Sequence, residues 1–279
     1  MTLDAIQAAL NKQISQAAWA ADNELRGAKV ARFRRYVDGE HDAQMTTEMR
    51  KLLRIEASDT EQTSVFTSNQ CDDVIQTMTD RLTVERIEGD SDAATKWADE
   101  VLDANRFDGL QMDLHEATLV DGDSYALVGY NAEDDLPSIY PELAWDGSCG
   151  ILPVYKEDGK KDLAAAIKVW NETKVDYADT QRVNVYYPDR IEKFTGSGNR
   201  LERYLDPKSP EVWPLPWVMP NGDPIGIPVV PFCNRRRGTG GFGKSELESA
   251  TPLQDGLNRT LHSMIMASEL SAFRILIAK

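Results

Sequence analysis

The chain has 279 residues, 41% of them hydrophobic and 28% charged, enough for one large or two modest cores of ordinary globular composition. Its formal net charge of −15 argues against tight DNA binding through the average surface, because grip on phosphates needs Lys and Arg to displace counterions. No apolar run approaches the roughly 18 residues of a membrane helix, the amphipathic start is no signal peptide, and the three cysteines, Cys71, Cys149 and Cys233, are too scattered for a disulfide framework or zinc site and fit a reducing cytoplasm. The acidity either confers solubility or keeps DNA from adhering to a protein past which it must slide.

Leu3, Ile6, Leu10, Ile14, Ala17, Ala21 and Leu25 recur at three- and four-residue intervals and predict one amphipathic helix over 3–36. Its basic end, Arg26, Lys29, Arg32, Arg34 and Arg35, either complements a helix C-terminus or meets an acidic partner. Gly39 is the expected stop. Helical character returns at 46–55 and at 69–82, where Val74, Ile75, Met78 and Leu82 share a face. Residues 82–87 alternate like a strand. A helix is expected over 92–118, through Trp97, Val101, Leu102, Leu110 and Leu114, followed by an Asp121-Gly122-Asp123 turn and a strand over 124–130.

From 134 to 233 the texture changes to short β-like runs, among them 138–140, 164–170, 183–187, 191–194 and 227–232, separated by Gly, Pro and Asp. Without regular strand–helix alternation, this predicts a mainly antiparallel sheet and an α+β fold, with 195–226 as an extended surface loop. Ser245 and Glu248 then fit a capping box opening a long helix, with Leu253, Leu257, Leu261 and Met264 on one stripe. The apolar run 275–279 calls for a partner beyond Lys279 or on another chain.

Residues 238–245 (GTGGFGKS) satisfy the phosphate-loop pattern GxxxxGK[ST] between an expected strand and an expected helix. The context argues otherwise. Asn234, Arg235, Arg236 and Arg237 separate the apolar strand from the first glycine, and such a polar run does not sit in a central parallel strand. Only 34 residues follow Ser245, too few for further parallel strands ending in a magnesium-binding Asp, and Pro188 interrupts the upstream run 183–189. A glycine-rich turn capped by Ser245 is the simpler reading, with a nucleotide-binding ATPase as the alternative. His115-Glu116 begins an HExxH pattern, but position 119 is Leu, so the second zinc ligand is missing. No catalytic, cofactor-binding or metal-ligating residue emerges, and no enzyme is expected. Arg235, Arg236 and Arg237 are candidates for contact with DNA or a neighbour's carboxylates, or form a solvated charged loop. Glu246, Glu248 and Asp255 are further candidates for contact with DNA or a neighbouring subunit.

Taken in order, several segments resemble the portal proteins of long-tailed (siphophage-type) bacteriophages. They are 36–41 (YVDGEH), 69–75 with Arg81 and Leu82, 115–117 followed by 121–128 (DGDSYALV), 164–170, 185–191, 227–235, and 245–247 with 252–259. The resemblance implies an N-terminal helical arm (1–45), an α+β wing of long helices on a small mainly antiparallel sheet (46–237), and a glycine turn with the first stem helix (238–279). Family members continue beyond the position of Lys279 with the rest of the stem, the tunnel loop and the crown, so the chain reads as the N-terminal part of such a subunit. It further implies a ring of about twelve identical subunits with heterologous contacts, placed at one capsid vertex of the virion and assembled in the bacterial cytoplasm. Its implied partners are the terminase large subunit, head–tail connector or adaptor proteins, capsid and scaffold proteins, and double-stranded DNA passing through without sequence-specific binding. No cofactor and no membrane are implied. A head–tail adaptor or minor capsid component is the second alternative.

Overall fold

The computed structural model describes residues 26–42, 68–131, 133, 135–156, 162–174, 177–197, 200–205, 212–236 and 242–272, together with Ile6, Thr46 and Lys51. The helices described before the sheets are α1 (Arg26–Val37), α2 (Gln70–Thr79), α3 (Asp92–Ala104) and α4 (Phe107–Asp121). Asn69 caps α2 by accepting from the N–H of Cys71, and Ser91 caps α3 by accepting from Ala94, each at 3.2 Å. Phe33 and Tyr36 of α1, Cys71 and Ile75 of α2, and Leu119 and Val120 of α4 close one apolar cluster around Leu247.

The strands are β1 (Asp123–Asn131), β2 (Leu136–Leu143), β3 (Gly150–Tyr155), β4 (Leu163–Lys174), β5 (Tyr177–Tyr186), β6 (Arg190–Ser197), β7 (Arg200–Arg203), β8 (Leu215–Pro216) and β9 (Val229–Cys233). They form a three-stranded sheet in the order β2-β1-β9 and a larger sheet in the order β3-β4-β5-β6-β7, with β8 on β6, all antiparallel. Period-two alternation sorts the larger sheet into two faces. Ile167, Val169, Val183, Val185 and Phe194 fill one cluster with Leu152 and Trp145, while Ala166, Tyr186 and Ile191 turn the other way to meet Tyr125 and Val229 of the smaller sheet.

Three sheet edges carry proline on their outward side. In β2 the N–H of Ile139 points away from β1, so Pro137 and Pro141 point away as well. Ile151 of β3 turns its carbonyl away from β4 toward Trp145, which places Pro153 outward. Pro228 and Asn234 bond to the β1 side, which leaves Pro231 of β9 facing out. A proline offers no N–H to an added strand.

The expected α+β class with antiparallel sheets is present, with corrections in detail. The helix predicted over 3–36 is described only at Ile6 and from Arg26, where it runs to Val37 before Gly39 (φ 82°), and most of 46–55 lies outside the described residues. The single helix predicted over 92–118 is two. Asn105 leaves α3 and spends its side chain on β2, donating to the carbonyl of Pro137 (2.9 Å) and accepting from Ile139 (2.7 Å). The backbone then turns through Arg106 at φ 49°. Residues 82–87 pair with no strand among the described residues. The loop expected over 195–226 contains β7 and β8. Ser245 caps a short 3-10 turn (Glu246–Glu248), accepting from Leu247 at 3.0 Å, but Glu248 pairs with Lys244 instead of completing a box. The last helix, α5, is Ala250–Ala272. The apolar run 275–279 lies outside the described residues.

Candidate functional site

The residues of greatest chemical interest gather where the glycine turn and α5 meet the helices. The Asp121-Gly122-Asp123 turn ends α4, with Gly122 at φ 87°. Asp121 and Asp123 are buried, and charge at such a site demands a partner. Arg34 supplies it for Asp121 in a two-pronged contact, Nε to Oδ1 at 3.1 Å and Nη2 to Oδ2 at 2.7 Å, and also reaches Asp146 and the carbonyl of Ala144. Burial still pushes the Asp121 carboxyl above its ordinary range, against the pull of Arg34. Burial acts on Asp146 too, but the N–H groups of Cys149 and Ser148 together with Arg34 outweigh it and hold that carboxyl below its usual value. Asp123 pairs with Arg26. The basic end of α1 therefore finds acidic partners within the chain itself.

Asp123 also answers the phosphate-loop question. Its Oδ1 accepts from the backbone N–H of Gly243 at 2.7 Å, the Lys244 N–H goes to the carbonyl of Asn234 (2.8 Å), and Lys244 Nζ pairs with Glu248 (2.9 Å). Ser245 Oγ donates to Leu119 (3.4 Å) while capping Leu247. In a phosphate loop these backbone and side-chain donors serve a triphosphate and its magnesium; in the described part of this turn they serve the protein's own acceptors. The crossing of Gly243 over Gly122 is too close for a side chain. A Cβ on Gly243 would lie 2.0 Å from the carbonyl oxygen of Gly122 and 2.6 Å from that of Asn234.

The second half of the site is the seam between α5 and the helices. The inward face of α5 is polar: Thr251, Gln254, Asp255, Asn258 and His262 are buried. Asp255 accepts from the Tyr36 hydroxyl at 2.8 Å. Burial and the Asp255 carboxylate push the Tyr36 hydroxyl up to about 12, with Arg32 opposing, so it remains a donor at neutral pH. Gln254 accepts from Gln70 N–H (2.8 Å) and donates to the Ser68 carbonyl and to Asn258 Oδ1 (3.2 Å). Asn258 Oδ1 also accepts from Ser68 N–H (3.1 Å), so its amide nitrogen must be the donor to His41 Nδ1 at 2.8 Å. That fixes His41 with its proton on Nε2, donating to the carbonyl of Tyr36 and to Asn69 Oδ1, each at 3.2 Å.

The outward face of α5 is apolar. Leu253, Leu257 and Met264 are 75%, 44% and 65% exposed. The stripe expected from the sequence exists, facing away from the chain. Gln254, Asp255 and Asn258, hydrogen-bonded to residues 36–70, hold the inward face instead.

The sequence-predicted contact residues are dispersed. Arg235 pairs with Glu246 through Nε at 2.8 Å, and Asn234 donates to the same carboxylate at 2.8 Å. Arg236 lies over Tyr155, 5.0 Å from the ring centroid, and donates to its hydroxyl at 2.7 Å. Arg237 is outside the described residues. Asp255 is buried in the seam and Glu246 nearly so, whereas Glu248 is exposed beside Lys244. Tyr36, His41, Asn69, Gln254 and Asn258 lie in the segments 36–41, 69–75 and 252–259 that carry the family resemblance, but the sequence assigns none of them a contact role. Their signal is a run of amides and one His at helix-adjacent positions, which carries no motif until the elements meet.

Among the described residues no group of acidic, His and Cys side chains could hold a metal ion, and no helix is long and apolar enough to cross a membrane. No curated protein matches the chain. A family model described as "Phage portal protein, SPP1 Gp6-like" matches residues 5–279, a span that contains the helices, both sheets, the glycine turn and the polar seam. The chain belongs to the SPP1 Gp6-like family of phage portal proteins, and it is a structural subunit of the portal.

Proposed function

We propose that the chain contributes one segment to a closed ring of about twelve copies, joined by heterologous contacts. Residues 46–237 serve as its wing and 238–279 as the turn and first wall helix lining the path of packaged and ejected DNA. The terminase large subunit, head–tail connector or adaptor and scaffold proteins are its docking partners, and assembly takes place in the bacterial cytoplasm. The observation that carries this reading is the inverted polarity of α5. A helix in a self-sufficient monomer turns its apolar stripe to the core; here hydrogen bonds lock the polar face inward and leave Leu253, Leu257 and Met264 outside. Covering the exposed part of each of these side chains is worth up to roughly 1.5–3 kcal/mol, a drive toward a second surface.

The test is the mass of the purified protein under native conditions, alongside L253E/L257E. Rings are expected from the unaltered chain. The double variant should give monomers whose melting temperature is unchanged, because both positions are exposed in the single chain. Rings that persist in the variant, or a monomer from the unaltered chain at high concentration, would overturn this reading. An ATPase is the opposite case, in which Lys244→Ala would abolish ATP binding; here no binding is expected before or after the substitution.

A further inference from the structure

We propose that residues 82–88 form a strand on the outer edge of β7 in a neighbouring copy, extending the larger sheet from one subunit into the next. The pairing presupposes the ring and names a contact that would help build it.

Three observations carry it. The first is the segment itself. Leu82, Thr83, Val84, Glu85, Arg86 and Ile87 alternate in the manner of a strand, yet they form no helix, turn or ladder from Thr83 onward. Leu82, Val84 and Ile87 are all exposed. The backbone is anchored by Leu82 N–H to Thr79 (2.9 Å) and Val84 N–H to the Gln111 side chain (2.7 Å), and no further backbone bond is made between 83 and 88 among the described residues. In an extended conformation successive N–H groups face opposite ways. With Val84 turned to the body, the groups of Thr83, Glu85 and Ile87 form a free edge.

The second is the choice of acceptor. Proline guards the outward positions of β2, β3 and β9, and Asn105 fills part of the β2 edge. At β7, Tyr204 N–H bonds to Lys193 on β6 at 2.9 Å, so Leu201 and Arg203 turn their backbone groups outward, and no proline stands in the strand. Of the five described outer strands, β2, β3, β8 and β9 each contain proline, and β7 alone has none.

The third is charge. Arg203 lies over the Trp213 ring, 4.2 Å from its centroid, and has no carboxylate partner among the described residues. Glu85 and Glu88 likewise have no cationic partner there. Counted whole, residues 82–88 carry Glu85 and Glu88 against Arg86, a net charge of −1, and β7 carries Arg200 and Arg203 against Glu202, a net charge of +1; the modest opposite signs suit a head-to-tail contact between identical subunits.

Hydrogen exchange on the full chain, with ring and monomer separated by native mass, tests the pairing. Amides of 83–88 and of 201–205 should both exchange about tenfold or more slowly in the ring than in the monomer. Glu85→Pro should weaken assembly while the monomer melts as before, since the Glu85 N–H has no bond among the described residues. Glu85→Arg and Arg203→Glu should each impair assembly, and the double exchange should restore it. Rings in which 83–88 exchanges as fast as in the monomer would overturn the pairing and leave the ring standing. If no oligomer forms under any condition, both fall.

Discussion

At Gly243 the chain crosses the Asp121-Gly122-Asp123 turn with no room for a single added carbon. Gly243→Ala should therefore cost about 3 kcal/mol or more, through backbone displacement and loss of the bond to Asp123. Gly256 is the counter-case. It lies in α5 with nothing within 4 Å of the place a Cβ would take, and Gly256→Ala should add about 1 kcal/mol through helix propensity. Chemical denaturation of the two variants measures both. Tyr36 sets a pH dependence. Its hydroxyl ionises at about 10 when unfolded and about 12 in the seam. A raised value in the folded state means stability is complete below pH 10 and lost as pH climbs from 10 toward 12. Tyr36→Phe should lower stability by about 1–2 kcal/mol at neutral pH, and its difference from the unaltered protein should shrink across that alkaline window in thermal melts. The Asp-Gly-Asp turn and the glycine turn were both legible as turns in the sequence. What could not be read was that one closes on the other, because the contact joins residues 120 positions apart.

At the scale of elements, α5 shows that a correctly read periodic pattern does not say which surface will cover it. Leu253, Leu257, Leu261 and Met264 do form a stripe, and periodicity alone assigns it to the core. Periodicity reports which face avoids water in the finished assembly and does not say whether the cover comes from the same chain. The opposite face is held by Gln254, Asp255 and Asn258, each with a named partner. Asn258→Leu should then be costly despite its gain in apolar character. It strands Ser68 N–H, Gln254 and His41 in a buried site, and a loss of about 3 kcal/mol is expected in equilibrium unfolding. The split of α3 from α4 was hidden for a related reason. Helical periodicity continues across 105–106, and only the demand of β2 for a partner at Pro137 and Ile139 pulls Asn105 out of the helix. Strand β3 was harder to single out because Pro153 sits in it, a residue that belongs at an edge and dilutes the strand signal.

For the whole molecule, the order of weak motifs was more informative than any one of them. The antiparallel texture and the succession from the 36–41 stretch through DGDSYALV to the capped last helix pointed to the portal family, and the family match covers residues 5–279. The most conspicuous single motif, GTGGFGKS, pointed elsewhere, and its neighbours Asn234–Arg237 already argued against it. The outward prolines of β2, β3 and β9 have a consequence for how such a protein behaves while it is being made. Identical chains accumulating before closure bring many exposed strands together, and any two compatible edges could zip into an open, unlimited stack. With three borders unable to donate at their midpoints, the routes to such fibres narrow sharply, and growth is steered toward arrangements that end when the circle shuts.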